Sequence, residues 1–305
     1  MRILTAGPGA VGLFLASRLS SVAEVVLLHH DRAAAAELTE RGFELRAAAG
    51  PPRRFRLPCV VDPPESADLL LVTVKTGALP ALLESLSGLR VGAALSVQNG
   101  LGNCERLAAR FGADRVYGGV FTYGLHRTER RAVTAAGEGE LAVGPWGGGG
   151  KAAEIVSLMR RAGLNARTSS DIRRELWLKA GVNACINPLA AIHGVPNGAL
   201  LEMKETAGVW RRVAAETARA AALDGVRLDA QEVLERAEAV ARATAANRCS
   251  MLQDIEAGRP TEADAILGRI AGLLAAAGES GTECGSLLEK VRELERDARQ
   301  RRREG

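Results

Sequence analysis

The sequence predicts an α/β protein: an N-terminal Rossmann-type doubly wound sheet followed by an all-α C-terminal domain. Three observations carry that reading. Apolar runs of strand length alternate with helical patterns through the first half, as in parallel sheets covered on both faces. A glycine-rich turn follows the first strand and opens a helix, the arrangement of a βαβ dinucleotide site. From about Asp171 onward the chain shows helical periodicity alone, so the expected domains are 1–168, dinucleotide-binding, and 169–305, helical and substrate-binding or catalytic.

The elements follow in order. "MRILTA" reads as a strand, "GPGAVG" as the turn and "LFLASRLS" as an amphipathic helix. "EVVLLHH" is a second buried strand, and "DRAAAAELTERG" a helix ending at Gly42. "FELRAA" and "RFRLPCVV" read as strands around the turn at Gly50-Pro51-Pro52. "ADLLLVTV" and "AALSVQN" are continuous apolar strands, each followed by a helix. "VYGGVFTYGLHRT", "RAVTAAG" and "GELAVGPW" read as strands, followed by a helix and the short strand "LNARTSS". Beyond them, helices are expected to break at Pro188, Pro196, Gly225, Pro260 and Gly281.

Composition narrows the function classes. The 305 residues carry a formal charge of +4, but Arg296–Gly305 alone holds five arginines against Asp297 and Glu304. That basic end reads as a frayed helix tail on a near-neutral body. Three Trp, two Tyr and five Phe leave little for base stacking, so no nucleic-acid partner is expected. Five scattered cysteines without C-x-x-C spacing and four histidines argue for no metal and for a reducing compartment. The apolar N-terminus is interrupted by Pro8, glycines and Arg18, unlike a signal peptide. No run is long enough to span a bilayer, so no membrane partner and a cytoplasmic location are expected.

Gly7-Pro8-Gly9-Ala10-Val11-Gly12 fits G-x-G-x-x-G. Gly7 permits the turn, Gly9 a close approach of backbone to pyrophosphate, and Gly12 tight helix–strand packing. The helix N-terminus then offers its N–H groups to the phosphates. Gly147-Gly-Gly-Gly-Lys151 is a false rival, because Pro145 and Ala152 break the phosphate-loop pattern twice. After the second strand, Asp31 would suit the ribose hydroxyls of NAD and Arg32 the extra phosphate of NADP. The reading favours NADP through Arg32, helped by His30, over NAD. For His29 a solvent-facing turn is the alternative.

Five of the forty basic residues are lysines. In a chain that prefers arginine, lysine is kept where arginine cannot substitute, one such place being a tunable proton donor; an ordinary surface lysine is the alternative at Lys75 and Lys179. Lys75 ends "LLLVTVKT" at the carboxyl edge of the sheet, where such folds bind ligands. Asn99, in "SVQNG", ends another strand at that edge, although Asn-Gly is also an ordinary turn signal. In "ELWLKAGVNACINP", Lys179, Asn183 and Asn187 recur every fourth residue and share one helix face. They span about 12 Å, enough to line one small ligand. An ammonium can protonate a forming alkoxide, and amides can hold a carboxylate or hydroxyl without adding charge. Trp177 and Leu178 lie off that face and read as core, and Pro188 is expected to stop the helix. "SMLQDIEAGRPTEAD" gathers Ser250, Gln253, Asp254, Arg259, Thr261, Glu262 and Asp264, of which Thr261 and Asp264 also suit a plain helix start.

These segments together resemble the ketopantoate reductase (2-dehydropantoate 2-reductase) family over nearly the whole chain. The matching stretches are "GPGAVG", "VKT", "QNG", "GGVFTYGLHR…GEGELAVGP", "ELWLKAGVNACINPLAAIHGVPNGALLE" and "SMLQDIEAGRPTEAD". The last two are the specific ones. The resemblance implies NADPH-dependent reduction of 2-dehydropantoate to (R)-pantoate, towards pantothenate and coenzyme A. Under it Lys179 falls on the proton donor, and Asn183, Asn187, Asn197 and Ser250 on substrate-binding positions. Asn99, Lys75 and Glu262 fall where nicotinamide meets substrate, and Gly124 near a cofactor contact. Glu262 would hydrogen-bond the substrate hydroxyl and keep Lys179 charged. The family usually places Arg directly after the second strand, where this chain has His29-His30-Asp31 before Arg32.

Two other functions stay open at this point. One is an NAD(P)-linked reductase or dehydrogenase of a different branched 2-oxo or hydroxy acid. The other is a non-catalytic dinucleotide sensor, which the full set of polar residues disfavours. The expected partner is a small 2-oxo acid, and a homodimer is compatible with the sequence.

Overall fold

The computed structural model describes residues 1–46, 50–135 and 137–304. Ala47 and Ala48 of "FELRAA", Ala136 of "RAVTAAG" and the terminal Gly305 lie outside them. The chain divides into two compact units. One comprises Met1–Gln98 with Asn103–Ile172, the other Asn99–Gly102 with Arg173–Gly305.

The first unit contains twelve strands among the described residues: β1 Arg2–Ala6, β2 Glu24–Leu28, β3 Phe43–Arg46, β4 Arg53–Phe55, β5 Cys59–Val60, β6 Ser66–Val72, β7 Arg90–Ser96, β8 Val116–Phe121, β9 Leu125–Glu129, β10 Ala132–Ala135, β11 Leu141–Pro145 and β12 Ala166–Thr168. Eight form one sheet in the order β12-β11-β8-β7-β6-β1-β2-β5. It is parallel except where β11 meets β8. The strand order reverses between β1 and β6, which is where a doubly wound sheet binds ligands. Leu4, Leu70, Leu71, Ala94 and Leu95 are fully buried in the central strands, and this two-sided burial explains their unbroken apolar runs.

The other four strands form a small second sheet, β4-β3-β10-β9. Here the structure corrects two expectations. "RFRLPCVV" is not one strand but β4 and β5, which belong to different sheets. Pro58 sits at the break, where a residue without an N–H cannot continue a ladder. Likewise "VYGGVFTYGLHRT" is β8 of the large sheet and β9 of the small one, parted at Thr122–Gly124.

The second unit is helical: Ile172–His193, Thr206–Leu223, Ala230–Ala243, Ser250–Glu256, Arg269–Ala276 and Glu283–Glu304, with a 3₁₀ turn at Asn197–Leu201 and a π-turn at Asp264–Gly268. Trp177, Ile186, Leu189, Trp210, Val213, Ile266, Ile270 and Val291 are among its core residues. Pro188 does not stop the first helix, which runs through it to His193. A helical proline sacrifices one hydrogen bond, but Leu189, Ala190 and Ala191 on the next turn are buried and hold the backbone helical. The helix ends instead at Gly194, φ +66°, with the Val195 N–H on the Ala190 carbonyl 3.1 Å away. The basic tail belongs to the last helix, which continues to Glu304.

Asp224 ties three of these segments together. Its carboxylate accepts from Trp177 Nε1 at 3.0 Å, from Arg269 at 3.3 Å and from Arg173 at 3.5 Å. Asp224→Ala strands the indole N–H and two guanidinium groups. It is expected to lower unfolding free energy by roughly 2–3 kcal/mol, read as a shifted urea midpoint with unchanged slope.

Candidate active site

The glycine turn shows three different steric situations. Gly7 has φ +97°, and a Cβ there would lie 2.7 Å from the Val74 nitrogen. At Gly12 a Cβ would meet the Gly7 carbonyl oxygen at 2.1 Å and Thr73 Oγ1 at 2.6 Å. Around Gly9 nothing stands within 4 Å of the Cβ position. So Gly7 and Gly12 are demanded by packing, and Gly9 keeps a space open at the start of the helix Ala10–Leu19. A pyrophosphate fits that cradle, since the helix's first N–H groups have no partner within the helix. Pro8, Ala10 and Val11 complete the turn. Thr73, which lies outside the glycine motif, fastens it: its single hydroxyl proton is shared between the Ala6 and Gly7 carbonyls, 2.9 and 2.6 Å away. Lys75 follows two residues later, exposed past the end of β6, and Gly124 lies in the β8–β9 connection.

At the end of β2 the structure separates Asp31 from Arg32. The Asp31 carboxylate caps the helix Arg32–Arg41, accepting from the Ala34 N–H at 2.7 Å. That bond holds its pKa below the usual carboxylate range. Arg32 is exposed at the first position of the helix. The rings of His29 and His30 stack at 4.7 Å. A recess of about 250 Å³ opens here, lined by His29, His30 and Asp31 and, from the β9–β10 hairpin, by Arg127 and Arg130. Burial first, then His30, lower the His29 pKa, and Arg127 and Arg130 push it the same way. Sequence reasoning missed these two arginines, because their distance along the chain from residue 29 hides the encounter.

The second unit gathers the other residues. Lys179, Asn183 and Asn187 lie on the helix Ile172–His193 at successive turns. Lys179 retains some accessible surface, yet crowding around its ammonium lowers its pKa to about 8, opposed by the nearby Glu262 carboxylate. Glu262 also accepts from Asn99 Nδ2 at 2.9 Å. Asn99 joins this unit because Gly100, φ +81°, lets the chain press against Ala265, whose Cβ would stand 2.6 Å from a Cβ at position 100. The Leu101 N–H closes the contact on the Ala265 carbonyl at 2.9 Å. The sequence had assigned residues 99–102 to the first domain. Asn-Gly is thus a turn that also sets the Asn99 amide on the Glu262 carboxylate.

Asn187 is buried, and its carbonyl receives the Cys249 thiol at 3.6 Å, which sets exposed Ser250, first residue of the helix Ser250–Glu256, beside it. Asn197 donates to Thr244 Oγ1 at 2.8 Å, while its own Oδ1 is buried without a partner. Such an acceptor is costly unless something donates to it. All five cysteines are free thiols in buried positions. Among the described residues no cluster suits a metal ion, and no helix is long and apolar enough to cross a membrane.

The chain is similar to known proteins over nearly its whole length. Residues 3–148 match the model of "Ketopantoate reductase PanE/ApbA" and residues 171–295 that of its C-terminal domain. A 2-dehydropantoate 2-reductase of Archaeoglobus fulgidus is 35% identical over 299 residues, covering 96% of this chain and 98% of its own. One from Halobacterium salinarum is 34% identical over 279 residues, covering 88% and 91%. Among solved structures, D-mandelate dehydrogenase with NADH and anilino(oxo)acetate superposes with TM-score 0.91 at 25% identity, covering 98% of this chain and 99% of that one. A PanE/ApbA family ketopantoate reductase of Ralstonia eutropha gives 0.88 at 26% identity, with 98% and 99% covered.

Proposed function

The chain belongs to the ketopantoate reductase family, oxidoreductases acting on CH–OH groups, and we propose that it reduces 2-dehydropantoate to (R)-pantoate with NADPH. One observation carries the chemical part: a lysine tuned downward by burial, faced by a carboxylate, on a helix face that also presents two amides. Bound dinucleotide would supply the hydride that turns the ketone carbon into a carbinol carbon. Lys179 gives its proton to the oxygen on which negative charge develops. With a pKa of about 8 the ammonium is mostly protonated at neutral pH yet a stronger acid than an ordinary lysine, as general-acid catalysis requires.

Glu262 keeps Lys179 charged and accepts from the substrate hydroxyl, while its bond to Asn99 fixes the carboxylate's direction. Among the described residues the side chains of Asn183, Asn187 and Ser250 make no hydrogen bond, and Asn197 Oδ1 has no donor. These groups orient the substrate carboxylate and hydroxyls. Gly7–Gly12, Lys75 and Gly124 belong to the cofactor's side of the reaction. Pantothenate biosynthesis is the pathway this activity serves. The assay is NADPH oxidation with 2-dehydropantoate against a panel of 2-oxo acids, including the aryl 2-oxo acid corresponding to mandelate. Failure of 2-dehydropantoate to outrank the panel refutes the substrate.

The recess supports NADP over NAD. Asp31 is engaged as a helix cap, while Arg32 is exposed beside it and Arg127 and Arg130 line the same hollow. Arg130, paired with Glu37 at 3.5 Å, is 64% exposed and free to turn towards a phosphate. Arg130→Ala is expected to weaken NADPH binding by roughly tenfold, the scale of one charge-assisted contact, and to leave NADH binding unchanged. Fluorescence titration with both dinucleotides checks this. A second reading, an NADH-linked 2-hydroxy acid dehydrogenase, draws on the acid at position 31 and predicts that NADH binds more tightly.

A further inference from the structure

The loop that carries Glu262 has no secondary structure of its own on its N-terminal side, and it borrows rigidity from the last helix. Glu295, on Glu283–Glu304, accepts with one oxygen, Oε1, both the Thr261 N–H at 2.8 Å and the Thr261 hydroxyl at 2.5 Å. Its other oxygen pairs with Arg299 at 2.7 Å. The side chain of Glu295 is 14% exposed, so these bonds are largely shielded from competing water. The Thr261 hydroxyl in turn accepts from the Ala263 N–H at 3.1 Å, and the Glu262 carbonyl receives the Ala265 and Ile266 N–H groups at 3.1 and 3.2 Å. One turn before Glu295, Arg292 Nε reaches Asp264 at 3.1 Å. The same helix face therefore grips the chain on both sides of Glu262.

We propose that Glu295 is a positioning residue, acting through Thr261 to hold the Glu262 carboxylate against Asn99 and Lys179. The proposal rests on the catalytic reading of Lys179 and Glu262. A two-point grip bracketing one residue exceeds what docking a terminal helix needs, since Val291, Leu287 and Ala298 already bury that helix. It also accounts for the π-turn at Asp264–Gly268. An extra residue in the turn is the usual accompaniment of a functional side chain held at a set angle. The Arg292–Asp264 pair is exposed and adds little by itself. Most of the hold comes from Glu295.

The test measures kcat, KM for 2-dehydropantoate and thermal midpoint for Glu295→Ala, Glu295→Gln, Glu262→Gln, the Glu262→Gln/Glu295→Ala double variant and Arg299→Ala. Glu295→Ala is expected to lower kcat by about ten- to a hundredfold, the scale of a small misplacement of a reacting group, with KM changed far less. Glu295→Gln keeps a carbonyl acceptor for both Thr261 donors and should return kcat to within a few-fold of the original. The double variant should be no slower than Glu262→Gln alone, because both changes remove the same carboxylate from place. Arg299→Ala should leave kcat unchanged. Should Glu295→Ala not fold, Thr261→Val, which removes one of the two bonds, is read the same way. Unaltered kcat in Glu295→Ala, or losses that multiply in the double variant, overturn the proposal. If Glu262→Gln itself turns over normally, the catalytic reading beneath it falls as well; an impaired Glu262→Gln beside a normal Glu295→Ala removes the clamp alone.

Discussion

Lys179→Met is expected to lower kcat for 2-oxo acid reduction by about a hundred- to ten-thousandfold, the range over which a positioned general acid contributes. Methionine keeps the unbranched shape of the side chain up to the position of Cε and removes the ammonium, so the loss reports the proton far more than a void. The Kd for NADPH should stay close to that of the unaltered protein, since the dinucleotide's phosphates are assigned to the Gly7–Gly12 turn in the other unit. Lys179→Ala opens room for a small amine, and added methylammonium should restore part of the rate. Stopped-flow measurement of a single turnover separates this chemical step from product release. A kcat within a few-fold of the original in Lys179→Met would end the proton-donor assignment.

The second large effect concerns the cofactor turn, where two neighbouring glycines should fail differently. In Gly12→Ala the new Cβ cannot coexist with a carbonyl oxygen 2.1 Å away and a hydroxyl at 2.6 Å. The turn must shift, at a cost of about 1–3 kcal/mol, so the melting temperature falls and dinucleotide affinity drops by roughly ten- to a hundredfold. In Gly9→Ala the Cβ meets nothing within 4 Å, so the protein should melt as before. It should nevertheless bind dinucleotide more weakly, because the methyl group fills the space proposed for the pyrophosphate. Equal affinity for NADPH in Gly9→Ala and the unaltered protein would remove the phosphates from this turn.

The two units differ in how plainly the amino-acid order announces them. The glycine turn is legible because its three glycines, two demanded by packing and one keeping a space open, fall within six residues. The polar stripe is legible because helical spacing alone puts Lys179, Asn183 and Asn187 on one face. Pro188 misleads, since local propensity argues for a break and the burial of Leu189, Ala190 and Ala191 overrides it. Local pattern made Asn99 legible as a strand end, and only the family resemblance set it with Glu262, for the approach of Gly100 to Ala265 joins segments far apart in the chain. Arg127, Arg130 and Glu295 carry no local signature at all. Arg127 and Arg130 gain their meaning from His29, which tertiary structure sets opposite them, and Glu295 gains its meaning from Thr261.

The pH dependence of kcat tests the central claim most directly. As the proposed proton donor Lys179 must be protonated to act, and its pKa of about 8 lies below the ordinary 10.5 because burial disfavours the charge. Turnover with saturating NADPH and 2-dehydropantoate should therefore be level towards pH 7 and fall as pH rises through about 8. Glu262 opposes the downward shift, so in Glu262→Gln the falling limb should move to lower pH. A kcat that stays flat from neutral pH to well above pH 9, or a limb that Glu262→Gln leaves in place, would contradict the account.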